Sequence, residues 1–292
     1  MLKRNNTKTA FAEIIPSLFI LSSPLQVICA VEAIHKFKIN DYRVILFLAD
    51  DVRNAQVLEL CNQCDINYEI WKCQYNKFTP FQRRENKYKR VFIGDPRSID
   101  QLHIAYSLCS DGAAFVMLDD GDDNIFMLKG YSFWNDKPLK KKLYVYLYYK
   151  VIPFIRGISF GRDLFTIYSN IPNKRFKCIE NSFEYFSKSL SHQNPPEGVY
   201  FIGTNHNRYC EPGNYPLERV KKELERCLIN LKVEYPQDNI YYIPHGRDTE
   251  KFPEKLCKEY GICFYKPSKT VELMFIDQVV MADKELILLI QQ

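Results

Sequence analysis

Short apolar runs that end in charged turns recur along this chain, and a helical pattern follows most of them. Residues 17–22 form the first such run, and Ser22-Ser23-Pro24 then open a helix carrying Leu25, Val27, Ile28, Val31, Ala33 and Ile34. Further runs are Tyr42 to Leu48, Tyr68 to Trp71, Arg90 to Gly94 and Ala113 to Leu118. Helical spacing fills the stretch through Val57, Leu58, Leu60 and Cys61 and that from Ile99 to Leu108. Runs of strand length alternating with helical segments predict βαβ units and a mostly parallel sheet.

The pattern breaks and then restarts. Residues 171–198 are rich in Asn, Lys, Ser and Pro, with Asn194-Pro195-Pro196 near their end. Such a stretch reads as a domain boundary, which divides the chain into residues 1–180 and 181–292. Beyond it come a strand at Val199 to Gly203, a helix from Pro216 to Val233, and a strand at Ile240 to Ile243. The helix carries Leu217, Val220, Leu224, Leu228 and Leu231, an amphipathic spacing. A helix ending at Leu256 to Tyr260 and a strand at Ile262 to Tyr265 complete the block. The expected fold class is therefore α/β, with two Rossmann-like domains whose mostly parallel sheets face a cleft.

With 292 residues, 46% of them hydrophobic, the chain can bury a sizeable core. A net charge of +5 favours acidic partners without naming one, and no nucleic-acid module is recognisable, so nucleic acid is not an expected partner. Ten cysteines lie at irregular spacing, mostly inside apolar runs, which suits reduced core residues. Cys61 and Cys64 have no second pair at ligand spacing, so a zinc site is not expected. The uncharged run Ile14 to Val31 is interrupted by Pro16, Ser22, Ser23, Pro24 and Gln26, and reads as strand, turn and helix rather than a span. No signal-peptide pattern is present, and the expected location is cytoplasmic. The segment from Lys137 to Arg156 is basic and aromatic, with Lys140, Lys141 and Lys142 in a row. Two readings fit it: a buried helix with a solvated start, or an interfacial helix that docks on an anionic membrane surface.

Two charged strand ends hold the chemistry. Phe115 to Leu118 runs into Asp119-Asp120-Gly121-Asp122-Asp123, and Ile240 to Ile243 runs into Pro244-His245-Gly246-Arg247-Asp248. In open α/β sheets, ligands bind outside the carboxyl ends of strands. Adjacent carboxylates repel, so one can serve as a base; a solvated turn or a magnesium or calcium site are the other readings, although the spacing does not match a calcium loop. His245 can neutralise a phosphate or act as an acid, with Gly246 allowing close backbone approach; a structural histidine is the plain alternative. Ser22-Ser23-Pro24-Leu25-Gln26 opens a helix whose first turn can meet an anion or an acceptor hydroxyl, or is a simple cap. No glycine-rich fingerprint marks a dinucleotide. Gly203-Thr204-Asn205-His206 ends the first strand of the second block, and can line the same cleft or form an ordinary turn.

Taken together, residues 18–26, Leu118-Asp119-Asp120-Gly121, Tyr200 to Gly203 and Tyr242 to Arg247 resemble bacterial sialyltransferases of glycosyltransferase family 52, and more loosely families 38 and 80. The order and spacing of these short motifs match over most of the chain. The resemblance implies a two-domain GT-B fold and transfer of sialic acid from CMP-sialic acid with inversion and without a metal. It implies a product in lipooligosaccharide or capsule, made at the cytoplasmic face of the membrane. It assigns His245 to the donor phosphate as acid, although Gly246 stands where the family has proline. Asp120 matches the central aspartate of the family's Asp-Asp-Gly motif and is taken as base. In family 52 the proposed base instead follows the glycine matching Gly203, where this chain reads Thr204-Asn205-His206 with no carboxylate.

The expected donor-side set is Gly203, Thr204, Asn205, His245, Gly246, Arg247 and Glu272, and the acceptor-side set is Ser23, Pro24, Gln26, Asp119 and Gly121. No cofactor is expected beyond the nucleotide-sugar substrate. The family carries paired small hydroxyl residues on a strand beyond the segment matching Lys266 to Glu272, and this chain ends at Gln292 before such a pair. The corresponding expectation is a shortened, incomplete donor domain. Transfer from another nucleotide-activated donor, or a non-catalytic membrane-associated protein, are the alternative readings.

Overall fold

The computed structural model describes residues 15–48, 54–72, 87–120, 124, 127–129, 139–189, 196–209, 215–246, 248–267, 271 and 273–274. They divide into two compact units, one drawn from 1–22, 26–47 and 65–181 and the other from 23–25, 48–64 and 182–292.

The first unit is built on a seven-stranded sheet. Its strands are β1 (Ser17–Leu21), β2 (Tyr42–Leu48), β3 (Tyr68–Lys72), β4 (Tyr88–Ile93), β5 (Cys109–Met117), β6 (Ser159–Thr166) and β7 (Lys177–Glu180). They lie side by side in the order β3-β2-β1-β4-β5-β6-β7. The pairs β1–β2, β1–β4, β4–β5, β5–β6 and β6–β7 all run parallel. The first six positions repeat the strand order of doubly wound nucleotide-binding sheets. Helix α1 (Pro24–Lys36) follows β1, and α3 (Ile99–Leu108) links β4 to β5; α2 (Asn54–Gln63), which groups with the second unit, precedes β3 in sequence.

Every residue of β1 is buried, as a parallel strand covered on both faces requires. Leu18 and Ile20 enter a core with Ile45, Val91, Ile93, Leu102, Phe115 and Leu164. Phe19, on the opposite pleat, stacks on Phe92 at 4.4 Å. Each such large apolar side chain contributes roughly 1.5–3 kcal/mol on burial.

Strands β6 and β7 do not stand out in the sequence. β6 begins Ser-Phe-Gly-Arg-Asp and is fully buried only over Leu164 to Thr166. β7 lies inside the polar stretch read as a linker, a four-residue strand that pairs, among the described residues, only with β6 and has no fully buried residue. Between β5 and β6 the basic aromatic segment is helical: α4 (Leu139–Tyr146), a π turn over Leu147–Val151, and α5 (Ile152–Ile155).

The second unit holds a three-stranded parallel sheet, ordered β10-β9-β8. Its strands are β8 (Val199–Ile202), β9 (Ile240–Ile243) and β10 (Cys263–Phe264). Short helices α6 (Glu184–Ser189) and α7 (His206–Tyr209) flank β8 in sequence, followed by α8 (Leu217–Glu234) and α9 (Phe252–Glu259). α8 buries Leu224, Leu228 and Leu231 against Phe201, Ile240 and Tyr242. Its apolar stripe is narrower than the sequence pattern, because Leu217 is exposed.

The eight described cysteines are all free. Burial raises the thiol of Cys61 to about 12 and that of Cys64 to about 11. No three His, Cys, Asp or Glu side chains converge as metal ligands among the described residues. Among them, too, no helix is long and apolar enough to cross a membrane, and Ile14 to Val31 resolves into β1 and α1 over its described part.

Candidate functional site

From β1 the chain winds to β2 on one side, and from β4 to β5 on the other. The carboxyl ends of β1 and β4 therefore flank the point where the winding reverses, the place where doubly wound sheets hold ligands. Three strand ends contribute there. Ser22 follows β1, Gly94 and Asp95 follow β4, and Asp120 lies shortly after β5.

Their side chains close a hydrogen-bonded ring. Ser22 Oγ donates to Gln26 Oε1 at 3.1 Å, and Gln26 Nε2 donates to Asp120 Oδ1 at 2.7 Å. Arg97 donates through Nη2 to Asp120 Oδ2 at 2.9 Å and through Nε to Asp95 Oδ1 at 3.1 Å. The Asp95 amide donates to Gln101 Oε1 at 3.1 Å, and Gln101 Nε2 returns to Ser22 Oγ at 3.1 Å. Gln26 and Gln101 are buried, whereas the Asp120 side chain keeps 20% of its surface exposed. Gly94 makes room for this arrangement. A Cβ there would fall 2.0 Å from Gln26 Oε1, so any side chain at 94 expels the glutamine. Tyr149 supports the loop from behind, its hydroxyl donating to the Pro96 carbonyl next to Arg97.

The two aspartates of the acidic turn separate. Asp119 is fully buried, accepting from the Ile167 amide at 2.8 Å and from Asn124 Nδ2 at 3.1 Å. It ties the end of β5 to the end of β6. Burial raises its carboxyl to about 7, outweighing the hydrogen bonds from Thr166 and Ile167 that favour the ionised form; the charge of Asp120 adds to the rise. Asp120 faces the ring, its amide held by Asn124 Oδ1 at 2.9 Å. Each Asp120 oxygen accepts from one ring donor, and the side chain keeps part of its surface open to an incoming hydroxyl.

In the second unit, the ends of β8 and β9 carry another polar group. His206 Nδ1 lies 2.5 Å from Asp248 Oδ2, with both side chains buried. The Phe252 ring packs edge-on against the imidazole. The Asp248 amide donates to the His245 carbonyl at 2.8 Å, so this pair anchors the turn that bears His245, which is itself half-buried. Beneath the turn, Tyr242 is fully buried and its hydroxyl has no hydrogen-bond partner among the described residues. Burial, with Asp248 nearby, pushes that phenol far up. Gly203 is packed on it, and a Cβ at 203 would fall 2.3 Å from the Tyr242 hydroxyl.

Of the residues expected from sequence, Gln26 and Asp120 come together in the ring. Ser22 joins them where Ser23 and Pro24 were expected; those two are buried at the start of α1. Asp119 is the inward-facing tie just described. Gly203, Thr204, Asn205, His245 and Gly246 lie at the β8 and β9 ends, with Gly246 exposed. Gly121, Arg247 and Glu272 lie outside the described residues, as do the side chains of Lys140 and Lys141; Lys142 is exposed. Asp95, Arg97, Gln101 and Asp248 were not singled out for this role. The signal for the first two was present, because β4 also runs from apolar residues into charge at Gly94-Asp95-Pro96-Arg97.

No protein-family model matches the chain, and no curated protein matches it in sequence.

Proposed function

We propose that this chain is a glycosyltransferase of the sialyltransferase type, transferring sialic acid from CMP-sialic acid to a surface glycan with inversion. The observation that carries the reading is the ring at the β1 and β4 ends, which presents one partly exposed carboxylate in a fixed orientation at the winding reversal of the sheet. In this reading the first sheet belongs to the acceptor-side domain and the second to the donor-side domain of a GT-B-type enzyme.

Asp120 accepts the proton of the acceptor hydroxyl, and that oxygen forms a bond to the anomeric carbon. The bond from that carbon to the CMP phosphate oxygen breaks, and its electron pair leaves with the phosphate. His245 donates a proton or hydrogen bond to the departing oxygen. The buried His206–Asp248 pair acts on His245 by positioning its turn. Gln26 and Arg97 hold Asp120 against rotation, which keeps the base at one angle to the incoming hydroxyl.

The test is consumption of CMP-sialic acid by purified protein with a glycan acceptor. Asp120→Asn and His245→Ala each remove turnover while folding, read by cooperative thermal unfolding, is retained. Normal turnover in both variants takes these residues out of the mechanism. A panel of nucleotides followed by thermal shift separates the readings: stabilisation by CMP supports a sialic acid donor, stabilisation by another nucleotide moves the reading to a different activated sugar, and none by any removes the transferase reading.

A further inference from the structure

The helix between β5 and β6 turns its apolar side outward. Leu139, Leu143 and Leu147 follow one another at four-residue spacing on one face. Leu139 is 83% exposed and Leu143 67%, and at the far end Phe154 is 87% and Ile155 73% exposed. Tyr146, beside them, is also exposed. In a water-soluble helix these positions would carry charge.

The inner side shows that this orientation is fixed. Tyr148 is buried, with its hydroxyl 2.8 Å from His103 Nδ1, and its carbonyl accepts from Tyr106 Oη at 2.8 Å. Tyr149 holds the Pro96 carbonyl. Arg156 closes the end, donating to Asp111 Oδ1 at 2.7 Å, to the Cys109 carbonyl at 2.6 Å and to the Tyr106 carbonyl. The π turn, in which the Ile152 amide reaches the Leu147 carbonyl, inserts one residue between the two halves. The helix cannot roll to bury its leucines without breaking these bonds.

Charge identifies the occupant. Between 137 and 155 the chain has five basic residues, Lys137, Lys140, Lys141, Lys142 and Lys150, and no acidic one. Lys142 and Lys150 are exposed on the helix itself. An apolar stripe bordered by lysines, with tyrosines at its edge, suits the boundary between anionic headgroups and acyl chains. We infer that Leu139 to Ile155 is a monotopic docking helix that lies in the plane of an anionic lipid surface, with Leu139, Leu143, Leu147, Phe154 and Ile155 entering the acyl boundary. This goes beyond sugar transfer and does not depend on it.

The experiment is co-sedimentation of the full chain with vesicles of phosphatidylcholine alone and of phosphatidylcholine mixed with phosphatidylglycerol. The chain binds the mixed vesicles and not the neutral ones. Leu143→Glu and Phe154→Glu each weaken binding about tenfold or more, as expected for withdrawing one large apolar side chain, with thermal unfolding unchanged. Lys142→Glu with Lys150→Glu weakens binding to the mixed vesicles and leaves the apolar stripe intact. The indole emission of Leu143→Trp shifts to the blue on mixed vesicles. Equal binding to both vesicle types, or to neither, overturns the inference. So does a concentration-dependent dimer that Leu143→Glu dissociates in the absence of vesicle binding, which would give this face to a second copy.

Discussion

Arg97 spans two carboxylates, reaching Asp120 at 2.9 Å with Nη2 while its Nε stays on Asp95 at 3.1 Å. Both contacts are more than two-thirds shielded from solvent, so their geometry matters more than at an open surface. Arg97→Met leaves two carboxylates facing each other without a cation. A double-mutant cycle with Asp120→Asn, read by urea unfolding, gives a coupling of about 1–2 kcal/mol. Arg97→Lys does not restore it, because an ammonium cannot span the same two oxygens with a planar fork.

Asp119 makes stability depend on pH. Its folded-state carboxyl sits at about 7, above the ordinary aspartate value. Below about pH 4 both the folded and unfolded chains keep the proton, and the raised value costs nothing. As pH rises from about 4 to about 7 the unfolded chain releases the proton first, so stability falls across that window. Above about 7 the penalty is constant, on the order of 4 kcal/mol. Asp119→Asn removes this dependence. The difference in unfolding free energy between wild type and variant changes between pH 4 and 7 and is flat above it.

Tyr242 carries a buried hydroxyl without a partner among the described residues, which burdens the fold by about 1 kcal/mol or more. Tyr242→Phe raises the free energy of unfolding by about that amount. Gly203→Ala acts in the opposite sense, costing about 1–3 kcal/mol, because its methyl group meets the same ring. Equilibrium denaturation of the two variants checks both signs.

The His206–Asp248 pair is buried on both sides, so removing one member strands the other. His206→Ala lowers stability by about 3 kcal/mol, and pairing His206→Leu with Asp248→Leu recovers part of that loss. Denaturation midpoints report the stability. Amide exchange at Asp248, whose N–H holds the His245 carbonyl, reports loosening of the turn.

Much of the fold was legible because its signals are local. β2, α3 and β9 match the apolar runs and helical spacing residue for residue. β6 and β7 were hidden because Gly161, Arg162 and Asp163 interrupt one, and the other is a short polar strand. The site was legible in half. Gln26 and Asp120 announced themselves by following apolar runs, yet Gln26 meets Asp120 across 94 positions and Gln101 meets Ser22 across 79. Pairings over such distances follow from strand order, which local patterns do not encode. Asp119 and Asp120 were both expected to face substrate, one on the acceptor side and one as base; the pleat at the end of β5 sends Asp119 into the core and Asp120 into the ring.

The circuit of Ser22, Gln26, Asp120, Arg97, Asp95 and Gln101 has no loose end. Replacing the side chain of Ser22, Gln26, Asp120, Arg97 or Gln101 removes two bonds of the circuit at once, so a change at one member is felt at its neighbours on both sides. Gly94 belongs to the same constraint although it makes no side-chain bond: a Cβ there meets the Gln26 side chain, so a substitution at 94 must move the glutamine from its place in the circuit. Change in this corner of the molecule therefore proceeds in coordinated steps.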